Sequence, residues 1–266
     1  MAEPEHSVDW QKRECYQNLL MIPRRAWAWE ILRRNRDFAN VWARVDSSPA
    51  SIARSRASII KACNEALLEW DCLWADDPGL GCSDATVFWN PRACSSVLRM
   101  RALEPSGAAA FELSQIVVPS VLLETRDGMQ HVLFRQGSRN LQLVVTGMSI
   151  RRPVTLTADV FSSALKPQIR SLSCFHDLLR TGDLLDRYFL ADARGARFML
   201  ILQALDGWCA GASQREIAIA LYGADRVKSL WNDPRSHMRD RVRRIIRRAR
   251  FLLNGGYRSF LLPVGN

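Results

Sequence analysis

The 266-residue chain contains no apolar run near the roughly 18 residues that a membrane span requires. Its opening stretch, MAEPEHSVDW, lacks the basic segment followed by an apolar one that marks a secretory signal. Histidine is scarce: His6, His131, His176 and His237 lie far apart, none at a metal-ligand spacing from a cysteine or another histidine. The seven cysteines, at positions 15, 63, 72, 82, 94, 174 and 209, show no short paired spacing. An odd, scattered set suits free thiols in a reducing cytoplasm and not a disulfide framework or a zinc ribbon. No glycine-rich phosphate loop joins a strand to a helix, and no repeat or low-complexity segment is present. The acid pairs Asp76/Asp77 and Asp183/Asp186 read as caps, and Cys174 and His176 at i,i+2 on a helix point apart. Collagen, coiled coil, membrane protein and secreted mini-protein are thereby excluded. No catalytic residue, metal or cofactor is expected.

Acidic residues thin out toward the C-terminal end. The chain is 48% apolar and 24% charged, an ordinary globular composition, yet its net charge is +10. Residues 191–266 hold 14 Arg and Lys against 6 Asp and Glu, whereas the remainder is nearly balanced. Such asymmetry suggests a polyanionic partner for the C-terminal part, nucleic acid first and an anionic membrane surface second.

The texture changes twice along the chain, giving three expected segments in an α+β protein. Residues 1–80 are helical in pattern and rich in tryptophan. Trp27, Ile31, Phe38, Val41, Trp42 and Val45 recur near helical spacing from Ile22 to Val45, and a second amphipathic helix is expected over Ser51 to Asp71. Residues 81–190 hold short strand-like runs at Val117–Glu124, His131–Arg135 and Leu141–Val145. Asp127-Gly128 and Gln136-Gly137-Ser138 separate them, which predicts an antiparallel meander. A helix then follows over 162–180, with Leu165, Ile169, Leu172, Phe175 and Leu179 on one face. Residues 191–266 return to helix and are expected to form a helix-turn-helix-type domain.

That last segment carries the chemistry. Arg197 onward reads as a buried helix ending at Gly211. Ser213 and Glu216 then form a capping box ahead of a short helix, Gln214 to Leu221, with Ile217, Ala218 and Leu221 inward. A longer helix runs from Ser236 to about Leu253, with Val242, Ile245, Ile246, Ala249, Leu252 and Leu253 as its apolar stripe. Its other faces are arginine: Arg239, Arg241, Arg243, Arg244, Arg247, Arg248 and Arg250, with Asp240 the sole acid between them. Like charges at such spacing repel one another, so an external polyanion is the simpler explanation than solubility. Arginine also bonds phosphate bidentately and reads guanine in the major groove.

The motifs Leu205-Asp206, Ala210 to Ala218, Leu221-Tyr222-Gly223, and Arg239 to Arg250 followed by Gly255-Gly256-Tyr257-Arg258 resemble a DNA-binding domain of regulators of proteobacterial, especially rhizobial, integrative and conjugative elements. Trp10, Tyr16 and Trp27 to Asn35 resemble the small domain fused ahead of it in activators of excision and transfer, although Arg36-Asp37-Phe38 departs from the Pro-Tyr pattern of that domain. The resemblance implies a cytoplasmic, nucleoid-associated transcriptional activator that binds double-stranded DNA, with RNA polymerase and a small antiactivator protein as further partners and no membrane contact. The expected DNA-contacting residues are Ser213, Gln214, Arg215, Arg235, Arg239, Arg243, Arg244, Arg247 and Arg248, with Arg33 and Arg34 as accessory contacts. Arg239, Arg243 and Arg247 share one outward face and suit bases; Arg235, Arg244 and Arg248 suit phosphates. The alternative from another class is a non-catalytic interaction module, antiactivator-like or scaffold, whose basic helix docks on an acidic partner.

Overall fold

The computed structural model describes residues 8–45, 65–106, 110–233 and 236–263, and the backbone of 57–60. After a 3-10 segment, Arg13–Met21, two helices follow, α1 (Arg24–Leu32) and α2 (Arg36–Val45). The helical pattern from Ile22 to Val45 is therefore two helices. Asn35 divides them: its Oδ1 accepts from the amides of Asp37 and Phe38 at 2.9 and 3.2 Å and so starts α2 as an N-cap does. The helix expected over Ser51 to Asp71 is overturned where the chain is described. Ala57–Ile60 is a strand, β1, and only Glu65–Leu68 is helical, as α3. The Ser-Ile-Ile run favours extended backbone, and a neighbouring strand supplies its hydrogen bonds. Asp71, at φ 57°, turns the chain into β2 (Cys72–Ala75), which pairs antiparallel with β3 (Val87–Trp89).

The main sheet adds β4 (Leu98–Leu103), β5 (Ser120–Glu124), β6 (Gln130–Gln136), β7 (Arg139–Gly147) and β8 (Thr155–Asp159), in the order β1-β5-β6-β7-β4-β8. The expected meander is β5–β6–β7. Gly137, at φ 57°, and Ser138 close its second hairpin between the paired residues Gln136 and Arg139. Beyond it the sheet is mixed, because β1 runs parallel to β5 and β4 parallel to β7. One face, with Leu122, Val132, Phe134, Leu143 and Val145, packs on Cys174, Phe175 and Leu178 of α4 (Leu165–Thr181). The other, with Val121, Leu123 and Leu133, meets Leu73 and Phe88 of the β2–β3 ribbon. Gln142 fixes the ribbon there: its side chain donates to the Trp89 carbonyl at 2.7 Å and accepts from the Trp89 amide at 3.1 Å.

The inward face of α4 is not the apolar stripe that its sequence displays. Leu165, Ile169 and Leu179 are about half exposed, and Leu172 is half-buried. The helix instead buries Gln168 and Ser171 beside Phe175, because both polar groups find partners: Gln168 Oε1 accepts from the Phe161 amide at 2.7 Å and Ser171 Oγ donates to the Ser96 carbonyl at 2.8 Å.

Four further helices follow in the described residues: α5 (Gly195–Cys209), α6 (Gln214–Tyr222), α7 (Ala224–Leu230) and α8 (Met238–Leu253). Gly211, at φ 79°, takes the left-handed position after α5 as the sequence suggests. Helix α7 is an addition that the sequence pattern does not announce. Gly207 lets two neighbours approach α5 closely: a Cβ there would stand 2.9 Å from the Trp10 ring and 3.1 Å from Ile217. The protein is thus α+β, with helices at both ends of the sequence around a mixed sheet.

The core does not divide at the segment boundaries 80/81 and 190/191. Trp27, Ile31, Leu32 and Phe38 share one buried cluster with Val87, Phe198, Leu202, Leu205, Leu252 and Tyr257. No helix among the described residues is long and apolar enough to cross a membrane.

One buried group gives this fold a pH limit. His131 on β6 is fully buried, and neither ring nitrogen has a hydrogen-bond partner among the described residues. Burial lowers its pKa to about 4, against a small opposing pull from Asp127. The unfolded chain therefore binds a proton more readily than the native one between pH 6.5 and about 4. Stability should be full above pH 6.5 and fall by up to ~3 kcal/mol as the pH drops through that window. Urea unfolding of wild type and His131→Leu at pH 7 and 4.5 checks this: the substitution should remove most of the difference between the two conditions.

Candidate nucleic-acid interface

The C-terminal helices form a scaffold that holds α8 from one side. Ala204 of α5, Ile217, Ala218 and Leu221 of α6, Val227 of α7, and Met238 and Val242 of α8 make a compact buried cluster. Farther along, Ala249, Leu252 and Leu253 pack with Phe198, Ile201 and Leu205 of α5. The stripe from Val242 to Leu253 thus faces inward as its spacing predicts.

The entry to α6 is built as its sequence suggests. Ser213 Oγ accepts from the Glu216 amide at 3.2 Å, and Glu216 returns to accept from the Ser213 amide at 2.7 Å. These hydrogen bonds hold the Glu216 carboxyl below its ordinary pKa. Ser213, Gln214 and Arg215 are all exposed at this turn. The Ser213 hydroxyl is engaged in the cap, so the next two side chains are what the turn presents outward.

All seven arginines of α8 are exposed. Arg239, Arg243 and Arg247 follow one another at i,i+4, about 6 Å apart along the helix axis. Arg243 pairs with Asp240 at 2.5 Å, an ion pair exposed on both sides and so of small energetic weight. Arg248 lies over the Phe251 ring and Arg250 over Trp208, contacts that leave the guanidinium edges available. Arg235 lies outside the described residues.

Arg244 and Arg248 meet two arginines that were not among the expected DNA contacts. Arg197 of α5 and Arg241 of α8 join them around a hollow of about 470 Å³, with Tyr222 and Ile201 in its wall. Arg197 lies 44 positions before Arg241, so only the crossing of α5 and α8 brings the set together. Among the described residues, no acid lines the hollow. Four guanidinium groups around an open concavity suit a phosphate oxygen, which each can bond through two N–H donors. Arg226 and Lys228 on α7 add two cations, both exposed, on an element that was not anticipated.

Arg33 and Arg34 are not part of this surface. Arg34 donates from Nε and Nη2 to both oxygens of Asp206 on α5, at 2.6 and 3.1 Å, and from Nη1 to Glu30 Oε2 at 2.8 Å. Arg33 donates to the same Glu30 oxygen at 2.8 Å and to the Pro78 carbonyl at 3.2 Å. Burial pushes the Glu30 carboxyl up, but the two guanidinium groups outweigh it and bring its pKa down to about 2. Arg34 is drawn inward by Asp206, distant in sequence, and Arg33 by Glu30 and the Pro78 carbonyl. The expected accessory contacts of Arg33 and Arg34 with DNA would compete with these internal partners.

Comparison with known families bears on the same two ends of the chain. Residues 161–262 match a family model described as the DNA-binding domain of a T6SS transcription factor. Residues 9–62 match one described as a proteobacterial transcriptional regulator-like domain. The chain carries the domains of a DNA-binding transcription factor. The C-terminal match begins at Phe161, so it takes in α4 as well as α5 to α8. Neither domain is that of an enzyme. No curated protein matches the chain.

The internal placement of Arg34 has a measurable consequence. Arg34→Ala should lower stability by about 3–5 kcal/mol, since it leaves the buried Glu30 and the half-buried Asp206 with less compensation. The salt dependence of DNA binding by the folded fraction should not change. Denaturant unfolding together with fluorescence anisotropy at several salt concentrations measures both; a shallower salt slope would place Arg34 on DNA after all.

Proposed function

We propose that the protein is a sequence-specific transcriptional activator that grips double-stranded DNA with a helix-turn-helix-type unit in which α6 is the first helix and α8 the recognition helix. The observation that carries this reading is the α8 array: seven exposed arginines and one acid on a helix whose apolar stripe is used in packing. An acidic protein partner would also meet such a surface, but the DNA-binding domain matched over 161–262 favours DNA. Arg239, Arg243 and Arg247 are assigned to base edges or the groove floor, and Arg244 and Arg248, with Arg197 and Arg241, to flanking phosphates. Ser213, Gln214 and Arg215 at the start of α6 are assigned to the DNA backbone, as the first helix of such a unit crosses it.

The genes under control are proposed to be those for excision and transfer of a mobile genetic element. This part rests on the likeness of the Trp27–Asn35 and Ala210–Ala218 motifs to regulators of such elements. RNA polymerase and a small antiactivator are the corresponding protein partners, and the cytoplasm is the corresponding location.

Footprinting of the purified protein on DNA upstream of excision and transfer genes tests the biology; an activator of this kind protects a discrete site there. Paired substitutions test the surface. Arg243→Ala with Arg247→Ala should change stability by no more than about 0.5 kcal/mol, yet weaken specific binding by about 1–3 kcal/mol for each base-reading arginine removed. Arg244→Ala with Arg248→Ala should weaken all sequences alike and lower the salt slope by about 0.9 for each phosphate no longer neutralised. Leu252→Ala should do the opposite, costing about 2–5 kcal/mol of stability with the charge array intact. If both arginine pairs leave affinity and salt slope at wild-type values in folded protein, α8 is not the DNA-contacting surface.

A further inference from the structure

A second concavity, of about 630 Å³, lies where the N-terminal helices, the central sheet and the C-terminal segment meet. Its size is that of a small-molecule site. The wall is mostly apolar and includes Trp29, Val87, Trp89, Phe189, Leu190 and Leu262. Leu190 and Leu262 are more than half exposed, although each sits in this wall.

Set into it are four guanidinium groups, Arg24, Arg25, Arg170 and Arg194, against a single carboxylate among the described residues, Asp192. That carboxylate is already engaged, by Arg24 at 3.1 Å and Arg194 at 3.2 Å. Arg25 and Arg170 bond neutral oxygens. Arg25 donates to Ser96 Oγ at 3.3 Å and to the Asn140 carbonyl; Arg170 donates to the carbonyls of Tyr188 and Arg187 at 3.2 and 3.0 Å. Two buried polar atoms of lining residues, Arg24 Nε and Asn140 Oδ1, have no hydrogen-bond partner among the described residues. A guanidinium bonded to neutral oxygens keeps its full charge to attract an anion, and more strongly beside apolar walls than in open water.

We infer that this cleft binds a small amphipathic carboxylate or sulfonate, its anionic head between Arg25 and Arg170 and its apolar body against the tryptophan-lined wall. Four guanidinium groups against one carboxylate leave a balance of +3, with Arg25 and Arg170 the two that face no carboxylate, which suits a small anion and not an extended polyanion such as DNA. The site shares no residue with the arginine array of α8, so it stands or falls independently of DNA binding. Its place matters nonetheless: Pro23 to Trp29 come from the N-terminal matched segment, and Pro167 to Leu262 from the C-terminal one.

The probe is 8-anilinonaphthalene-1-sulfonate, an aromatic anion whose fluorescence rises in apolar surroundings, titrated into the full chain at neutral pH. One saturable site is expected. Arg25→Gln and Arg170→Gln should each weaken it about tenfold, as expected when one charge-assisted hydrogen bond is removed. Arg244→Gln with Arg248→Gln should leave it unchanged, which separates this cleft from the hollow beside α8. The uncharged relative N-phenyl-1-naphthylamine should bind more weakly than the sulfonate to wild type and respond to neither substitution. Circular dichroism and thermal unfolding check that each variant is folded; because Arg170 is exposed and bonds only carbonyls, Arg170→Gln decides the matter if Arg25→Gln does not fold. Equal affinity for the charged and uncharged probes, unchanged sulfonate binding in folded Arg170→Gln, or loss of binding only in the α8 variant would overturn the assignment.

Discussion

The Arg34 guanidinium, held between Glu30 of its own segment and Asp206 of α5, is the interaction on which the rest of the arrangement depends. It joins two segments separated by 172 positions in sequence. Around it the charges nearly cancel, with Arg33 and Arg34 facing Glu30 and Asp206, and the remaining lone pairs are also used. Tyr16 donates to Asp206 at 2.6 Å, and the Cys82 amide donates to Glu30 at 2.8 Å. Such a cluster contributes less net stability than its contacts suggest, because removing the ions from water costs several kcal/mol each. What it supplies is register. A bidentate guanidinium tolerates little displacement, so α1 fixes where α5 lies, and α5 in turn is the support on which α6 and α8 pack. Asn35, whose Nδ2 donates to the Leu253 carbonyl at 3.0 Å, and Gln203, whose Nε2 donates to the Trp10 carbonyl at 3.0 Å, repeat the same link at other points of the seam.

The distribution of charge then has two explanations in one molecule. Several arginines outside the C-terminal helices have internal work. Arg135 bonds Thr86 and the carbonyls of Ser83 and Asp84, and Arg139 bonds the Leu184 carbonyl and Asp186. These are positions where loop carbonyls would otherwise lack donors. In α8 the arginines have few internal acceptors among the described residues, and that difference, more than the net charge of +10, marks the surface suited to an external anion.

Much of this was legible where local rules govern. The capping box at Ser213 and Glu216, the hairpin at Gly137, the stripe from Val242 to Leu253 and the buried Trp27 and Ile31 follow from spacing and side-chain chemistry alone. The failures share a cause in tertiary pairing. Ala57–Ile60 is a strand because β5 is beside it, which no window of sequence contains. Helix α4 buries Gln168 and Ser171 because distant backbone groups satisfy them, so hydrophobicity pointed to the wrong face. Arg33 and Arg34 read as exposed cations until the Pro78 carbonyl meets the first and Asp206 of α5 the second. Arg197, at the start of an apolar helix, and Arg241, on a flank of the arginine helix, were not among the expected contacts for the complementary reason: only the crossing of α5 and α8 makes them neighbours.

The same packing resolves a conflict within α8. Seven like charges over about three turns oppose helix formation, and an isolated helix of 16 residues is only marginally stable in water even without that burden. Burial of Met238, Val242, Ala249, Leu252 and Leu253 against α5 and its neighbours supplies the opposing free energy, about 25 cal/mol for each Å² of apolar surface removed from water. The array is therefore held in place because its inner face is folded into a core that reaches, through α5 and Arg34, to the other end of the chain. An anion that meets it finds guanidinium groups already spaced about 6 Å apart along one axis, so little ordering remains to be done on binding. Pre-organisation of the outer face is thus a consequence of the buried ion cluster at the inner one.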